Sequence, residues 1–104
     1  MTPDTPVAIY GLGNMGYPLA ERVGRRFATQ VFDLDAAQLQ RAQAAFGATP
    51  IHSSQDLART EIVVLCLPSP AISQAVLRQI GPQLPRGAVV LETSTVNPEH
   101  IHAA

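Results

Sequence analysis

A chain of 104 residues with 46% apolar and only 14% charged residues makes one domain at most, and nothing in its composition suggests disorder. A formal net charge of −1 leaves no electrostatic footprint for nucleic acid or an anionic membrane surface, and the single cysteine excludes an internal disulfide. No apolar run approaches the roughly 20 residues that span a bilayer, and Met1-Thr2-Pro3-Asp4-Thr5-Pro6 lacks the basic start and apolar stretch of a signal peptide, so a cytoplasmic setting is expected.

Val7-Ala8-Ile9-Tyr10 reads as a first strand. It runs into Gly11-Leu12-Gly13-Asn14-Met15-Gly16, with the spacing G-x-G-x-x-G, and a helix pattern follows. Each glycine has a task there. Gly11 lets the chain leave the strand sharply, Gly13 lets a pyrophosphate approach bare backbone, and Gly16 lets the helix lie close to the strand. The head of that helix offers unpaired N–H groups and a positive dipole end to phosphate. An ordinary strand-to-helix turn would explain the glycines equally well if they stood alone. The helix is expected from about Asn14 to Arg26, with Met15, Leu19, Val23 and Phe27 as an apolar stripe that Ala20 broadens. Arg22, Arg25 and Arg26 crowd its last turns and read as a solvated face at the negative helix end.

Gln30-Val31-Phe32 is the second strand and delivers Asp33 to its carboxyl end. Asp33 lies seventeen residues past Gly16, close to the ~20-residue offset of an acid that accepts ribose hydroxyls. Asp35 is the expected N-cap of a second helix bearing Leu39, Ala42 and Phe46, which Gly47 stops. Thr49 to Ile51 is a short third strand, and Ser53 with Asp56 resembles a capping box opening a brief helix. Ile62-Val63-Val64-Leu65-Cys66-Leu67 reads as a strand buried on both faces, with Cys66 as core filler. Pro68 ends it. Ser69-Pro70 then caps a third helix with Ile72, Val76, Leu77 and Ile80 on one face and Gly81-Pro82 as its stop. After the Pro85-Arg86-Gly87 turn, Ala88 to Glu92 forms a fifth strand. Thr93-Ser94-Thr95-Val96 is a polar loop, and Asn97-Pro98 opens a helix that has barely begun at Ala104.

The strand–helix alternation predicts an α/β fold: a Rossmann-type doubly wound parallel sheet, strand order 3-2-1-4-5, helices on both faces. Ligands of such sheets bind where the strand order reverses, here between strands 1 and 4, where the glycine turn faces Leu67-Pro68. His52, His100 and His102 read as loop or surface residues, and no set of three ligands suggests a metal.

Gly11-Leu12-Gly13-Asn14-Met15-Gly16-Tyr17-Pro18-Leu19-Ala20 closely resembles the β-hydroxyacid dehydrogenase signature G-L-G-x-M-G-x-P-[ML]-A. Val31-Phe32-Asp33, Leu65-Cys66-Leu67-Pro68 and Glu92-Thr93-Ser94-Thr95-Val96-Asn97-Pro98 resemble three further motifs of that family, in order and at similar spacing. The 3-hydroxyisobutyrate dehydrogenase-like branch shares Gly-Leu-Gly-Asn-Met-Gly unchanged. The resemblance implies that Gly11, Leu12, Gly13, Asn14, Met15 and Gly16 hold the pyrophosphate and that Asp33 accepts the adenosine ribose hydroxyls. It also implies that Leu67 and Pro68 pass beside the nicotinamide ribose, and that Ser94 and Thr95 lie near nicotinamide and substrate. Glu92 departs from the usual aspartate.

The resemblance further implies an all-helical second domain that supplies a general acid–base lysine, part of the substrate pocket and the dimer contact. No catalytic residue of that kind is in this chain: all seven basic residues are arginine, and the expected lysine lies beyond Ala104. Residues 1–104 are therefore expected to be the dinucleotide-binding domain of a longer, homo-oligomeric enzyme, truncated here. The implied reaction is NAD-linked oxidation of a small β-hydroxy acid, or its reverse. NAD rather than NADP is expected because Asp33-Leu34-Asp35 offers two carboxylates and no arginine to a 2′-phosphate. Two unit charges ~4 Å apart repel by roughly 4 kcal/mol at an effective dielectric of 20. Two other readings stand beside this one. One is the cofactor domain of an imine reductase or 6-phosphogluconate dehydrogenase relative; the other is a non-catalytic NAD-sensing module.

Overall fold

The computed structural model of the protein describes residues 5–92. Five strands form one sheet: β1 (Val7–Tyr10), β2 (Thr29–Phe32), β3 (Thr49–Pro50), β4 (Ile62–Leu65) and β5 (Val89–Glu92). Every pairing is parallel and the order is β3-β2-β1-β4-β5, as the alternation predicts. β1 is the central strand, taking β2 on one side with Val7 opposite Thr29 and β4 on the other with Val7 opposite Ile62.

Side chains alternate across a strand, so β1 feeds two cores. Val7 and Ile9 pack with Leu12, Ala20, Val31 and Ala42 on one face. Ala8 and Tyr10 pack with Leu57, Val63, Leu65 and Ile80 on the other. Helices α1 (Gly16–Gly24) and α2 (Ala36–Phe46) cover the first face, and α3 (Pro70–Ile80) the second. A parallel sheet covered on both faces needs continuous apolar strands, which is why β1 carries no solvent-facing residue.

The helix ends follow from their capping residues. Asp35 Oδ1 accepts the Ala37 N–H at 2.9 Å and opens α2, while Gly47, at φ +70°, closes it by donating to the Gln43 carbonyl. Ser69 Oγ accepts the Ile72 N–H at 3.2 Å with Pro70 at the first helical position of α3. Asp56 supplies half of the expected capping box: its Oδ2 accepts the N–H groups of His52 and Ser53 above a 3₁₀ turn, Ser54–Leu57.

Apart from one-residue shifts at the ends of β2, β3 and β5, the structure departs from the sequence reading in three places. Helix α1 is shorter at both ends, and Met15, 67% exposed, sits at its N-cap rather than in the apolar stripe; Leu19, Ala20, Val23 and Phe27 do pack inward. Strand β4 ends at Leu65, because the ladders to β1 and β5 both end there; Cys66 adds one last bond, its N–H to the Tyr10 carbonyl. On α3 the fully buried position is Ser73, while Ile72 is 44% exposed. Helix α3 does stop at Gly81-Pro82: Gly81 is its C-cap, and at φ −50° it carries the chain into a 3₁₀ turn, Gly81–Gln83. The polar loop and the Asn97-Pro98 cap lie outside the described residues.

Candidate functional site

The carboxyl end of β1 is held by its neighbours before it turns. The Gly11 N–H donates to the Phe32 carbonyl at 2.8 Å. Gly11 then adopts φ +99°, and a Cβ there would lie 2.2 Å from the Cys66 carbonyl oxygen, so only glycine fits. Gly16 begins α1 against this turn. The head of α1 has no side-chain cap. Within its first turn the Tyr17 N–H donates to the Gly13 carbonyl at 3.0 Å and Pro18 has no N–H to offer. Gly13 differs from its two partners: a Cβ added there meets nothing within 4 Å, so its bare backbone fronts open space.

Asp33 stands beside this turn at the end of β2. Its Oδ2 accepts the Leu12 N–H at 2.7 Å and its Oδ1 accepts the Asp35 N–H at 2.8 Å. Leu12 itself faces the core and is fully buried.

Between the glycine turn, Asp33 and α3 lies a cleft of about 890 Å³. Gly11, Gly13, Asn14, Met15 and Gly16 form one side, Asp33 and Leu34 an end, and Ile72, Val76 and Gln79 the wall from α3. Tyr10, Phe32, Cys66, Leu67 and Pro68 complete the lining. The cleft joins the positive dipole end of a helix, one carboxylate and apolar walls. That combination fits a dinucleotide. A smaller hollow of about 450 Å³ opens at the amino ends of the strands, among Gln30, Asp56, Arg59 and Thr60. Its polar groups serve each other: Gln30 Nε2 donates to the Asp56 carbonyl at 2.8 Å, and Thr60 Oγ1 donates to Gln30 Oε1 at 2.6 Å. Open α/β sheets bind ligands at the carboxyl ends of their strands, which selects the larger cleft.

Of the residues the sequence nominates, Gly11, Gly13, Asn14, Met15, Gly16, Asp33, Leu67 and Pro68 line the cleft together. Leu12 does not; its side chain is in the core and its amide is committed to Asp33. Ser94 and Thr95 lie outside the described residues. Cys66, read as core filler, is half-buried and lies between the core and the cleft, because β4 ends one residue before it. Leu34, 95% exposed, and the α3 wall were not singled out for the site. The spacing Ile72, Val76, Gln79 (i, i+4, i+7) was the available signal, since these positions share one helix face. Tyr10 forms part of the floor, its ring 5.5 Å from that of Phe32. Burial pushes its phenol up to about 12, with the Asp56 carboxylate acting in the same direction.

Residues 6–103 match the family model described as the NAD binding domain of 6-phosphogluconate dehydrogenase. No curated protein sequence matches the chain. Among solved structures it is similar to 3-hydroxyisobutyrate dehydrogenase from Mycobacterium tuberculosis, solved with L-serine, at 26% identity and a TM-score of 0.79, covering 90% of this chain and 33% of that one. It is similar to 3-hydroxyisobutyrate dehydrogenase from Salmonella typhimurium at 25% identity and a TM-score of 0.78, covering 92% and 35%. An imine reductase variant from Myxococcus stipitatus, solved with NAD+, shares the fold at 24% identity and a TM-score of 0.78, covering 95% and 34%. The same organism's imine reductase has also been solved with NADP+, at 22% identity and a TM-score of 0.78, covering 90% and 33%. The chain spans about a third of the length of each of these proteins.

Proposed function

The chain belongs to the family of the NAD binding domain of 6-phosphogluconate dehydrogenase, and from that membership we propose that its cleft holds the nicotinamide cofactor of an oxidoreductase acting on a small β-hydroxy acid. One observation carries the reading. The bare backbone at Gly13, the uncapped head of α1 and the Asp33 carboxylate meet in one cleft at the β1–β4 switch point. The N–H groups of Gly13, Asn14 and Met15 grip the pyrophosphate, and Asp33 accepts the adenosine ribose hydroxyls. Leu67 and Pro68 border the nicotinamide end, with Ser94 and Thr95 beyond them near the substrate.

NAD is the preferred cofactor. Asp33 lines the cleft, Asp35 follows two residues on as the cap of α2, and no arginine stands in Asp33-Leu34-Asp35 to balance a 2′-phosphate. The β-hydroxy acid follows from the sequence motifs and is supported by the two 3-hydroxyisobutyrate dehydrogenases among the structural relatives. When bound, the nicotinamide supplies the hydride chemistry; this chain binds and orients it. This chain has no lysine to act as acid or base on the substrate, so its own part in the reaction is to hold the cofactor.

Calorimetric titration of the purified protein tests this. NAD binds with measurable heat and NADP at least about tenfold more weakly. Equal affinity for the two would overturn the cofactor choice, and no heat with either would overturn the site. The 104-residue chain alone transfers no hydride to or from 3-hydroxyisobutyrate.

A further inference from the structure

We infer that Asp33 clamps the glycine turn before any nucleotide arrives, and so acts as a positioning residue as well as the acid that faces the sugar. Both oxygens of its carboxylate are engaged by main-chain donors, Oδ2 by Leu12 at 2.7 Å and Oδ1 by Asp35 at 2.8 Å. The first bond ties the turn after β1 to the end of β2, across twenty-one residues of sequence. Hydrogen bonds to an ionised carboxylate are about twice as strong as neutral ones. The Leu12 side chain is fully buried, so its amide cannot shift without disturbing the core. Asp33 is therefore held at one orientation from both sides.

Two consequences follow. The Leu12 amide is spent on Asp33, which leaves the pyrophosphate to the amides that come after it. Asp33 also cannot swing aside for a 2′-phosphate. Asp35, two residues on, is tethered in turn by the Ala37 N–H. A phosphorylated ribose in the cleft thus meets, at Asp33, a carboxylate fixed to backbone. Removing the charge at Asp33 alone does not open the site to NADP. In Asp33→Asn one oxygen becomes an NH₂ group, which faces the N–H of either Leu12 or Asp35, so one of the two bonds is lost for both dinucleotides.

The clamp is independent of the cofactor reading; only the ligand arm of the test rests on it. Amide hydrogen exchange of the nucleotide-free protein compares wild type with Asp33→Asn and Asp33→Ala. Leu12 exchanges at least about tenfold faster in Asp33→Ala, and either Leu12 or Asp35 does so in Asp33→Asn, while Ile9 in the central strand keeps its wild-type rate. In calorimetry, Asp33→Asn binds NAD about tenfold more weakly and gains nothing for NADP. Unchanged exchange at Leu12 in Asp33→Ala, or equal acceleration at Leu12 and Ile9, would overturn the clamp. So would an Asp33→Asn protein that binds NADP better than wild type with its NAD affinity intact. If wild type binds neither dinucleotide, the cofactor reading falls and the exchange rates still decide the clamp.

Discussion

Gly13 and Gly16 belong to one motif, yet alanine at each should differ in its effect on stability. A Cβ at Gly16 would lie 1.7 Å from the Gly11 carbonyl oxygen and 3.2 Å from Cys66 Cβ. The obstruction is backbone and cannot rotate away. Reaching even 3.0 Å requires the head of α1 to retreat by about 1.3 Å. Forcing a methyl into packed structure costs about 1–3 kcal/mol, and a rigid obstacle puts Gly16→Ala at the upper end. Urea unfolding should show a lower midpoint with an unchanged slope. Nucleotide affinity should fall as well, because Asn14, Met15 and Gly16, which line the cleft, move with the helix head. Gly13→Ala meets nothing within 4 Å, so its stability should stay within about 0.5 kcal/mol of wild type. Its methyl occupies the room a phosphate needs, and NAD affinity should drop about tenfold or more. A Gly16→Ala protein as stable as wild type would refute the packing argument. A Gly13→Ala protein with wild-type affinity would refute the assignment of that open space to phosphate.

Asp35→Ala removes the acceptor for the Ala37 N–H at the head of α2 and should cost about 1 kcal/mol in urea unfolding. Thr60→Val deletes a fully buried donor 2.6 Å from Gln30 Oε1 and should cost about 1–2 kcal/mol by the same measurement. Cys66 lines the cleft, so iodoacetamide should label it slowly and saturating NAD should slow the labelling several-fold, read by mass spectrometry; equal rates would place the ligand elsewhere. The Tyr10 phenol is raised to about 12 in the folded protein, so the stability it contributes is complete below about pH 10 and lost as pH rises towards 12. The sequence has no lysine to blur that window, and Tyr10→Phe should flatten the fall in urea midpoint there.

Local chemistry was the legible part of this chain. Asp35, Ser69 and Gly47 cap their helices where the sequence places them, because capping is settled within two to four residues. The strand order was legible for a different reason: apolar runs separated by helices leave few right-handed topologies. What needed three dimensions stayed hidden. The bond from the Leu12 amide to Asp33 joins residues that nothing in the linear pattern pairs. Met15 shares the four-residue spacing of Leu19 and Val23, but the helix starts after it and leaves it in the cleft. Ser73 is fully buried on α3, a place that hydropathy assigns to Ile72. Cys66 changed from filler to lining because strand length is set by partners, not by the length of an apolar run.

The central place of β1 also has a cost in time. Synthesis delivers β1 first, and its partner Thr29 opposite Val7 emerges only 22 residues later. Ile62, the partner on the other flank, emerges 55 residues after Val7. Throughout that interval the strand that anchors the sheet has one row of peptide groups unmatched and one apolar side uncovered. Nascent chains of this design spend that delay as candidates for mispairing, and a slowed ribosome between β2 and β4 would prolong it.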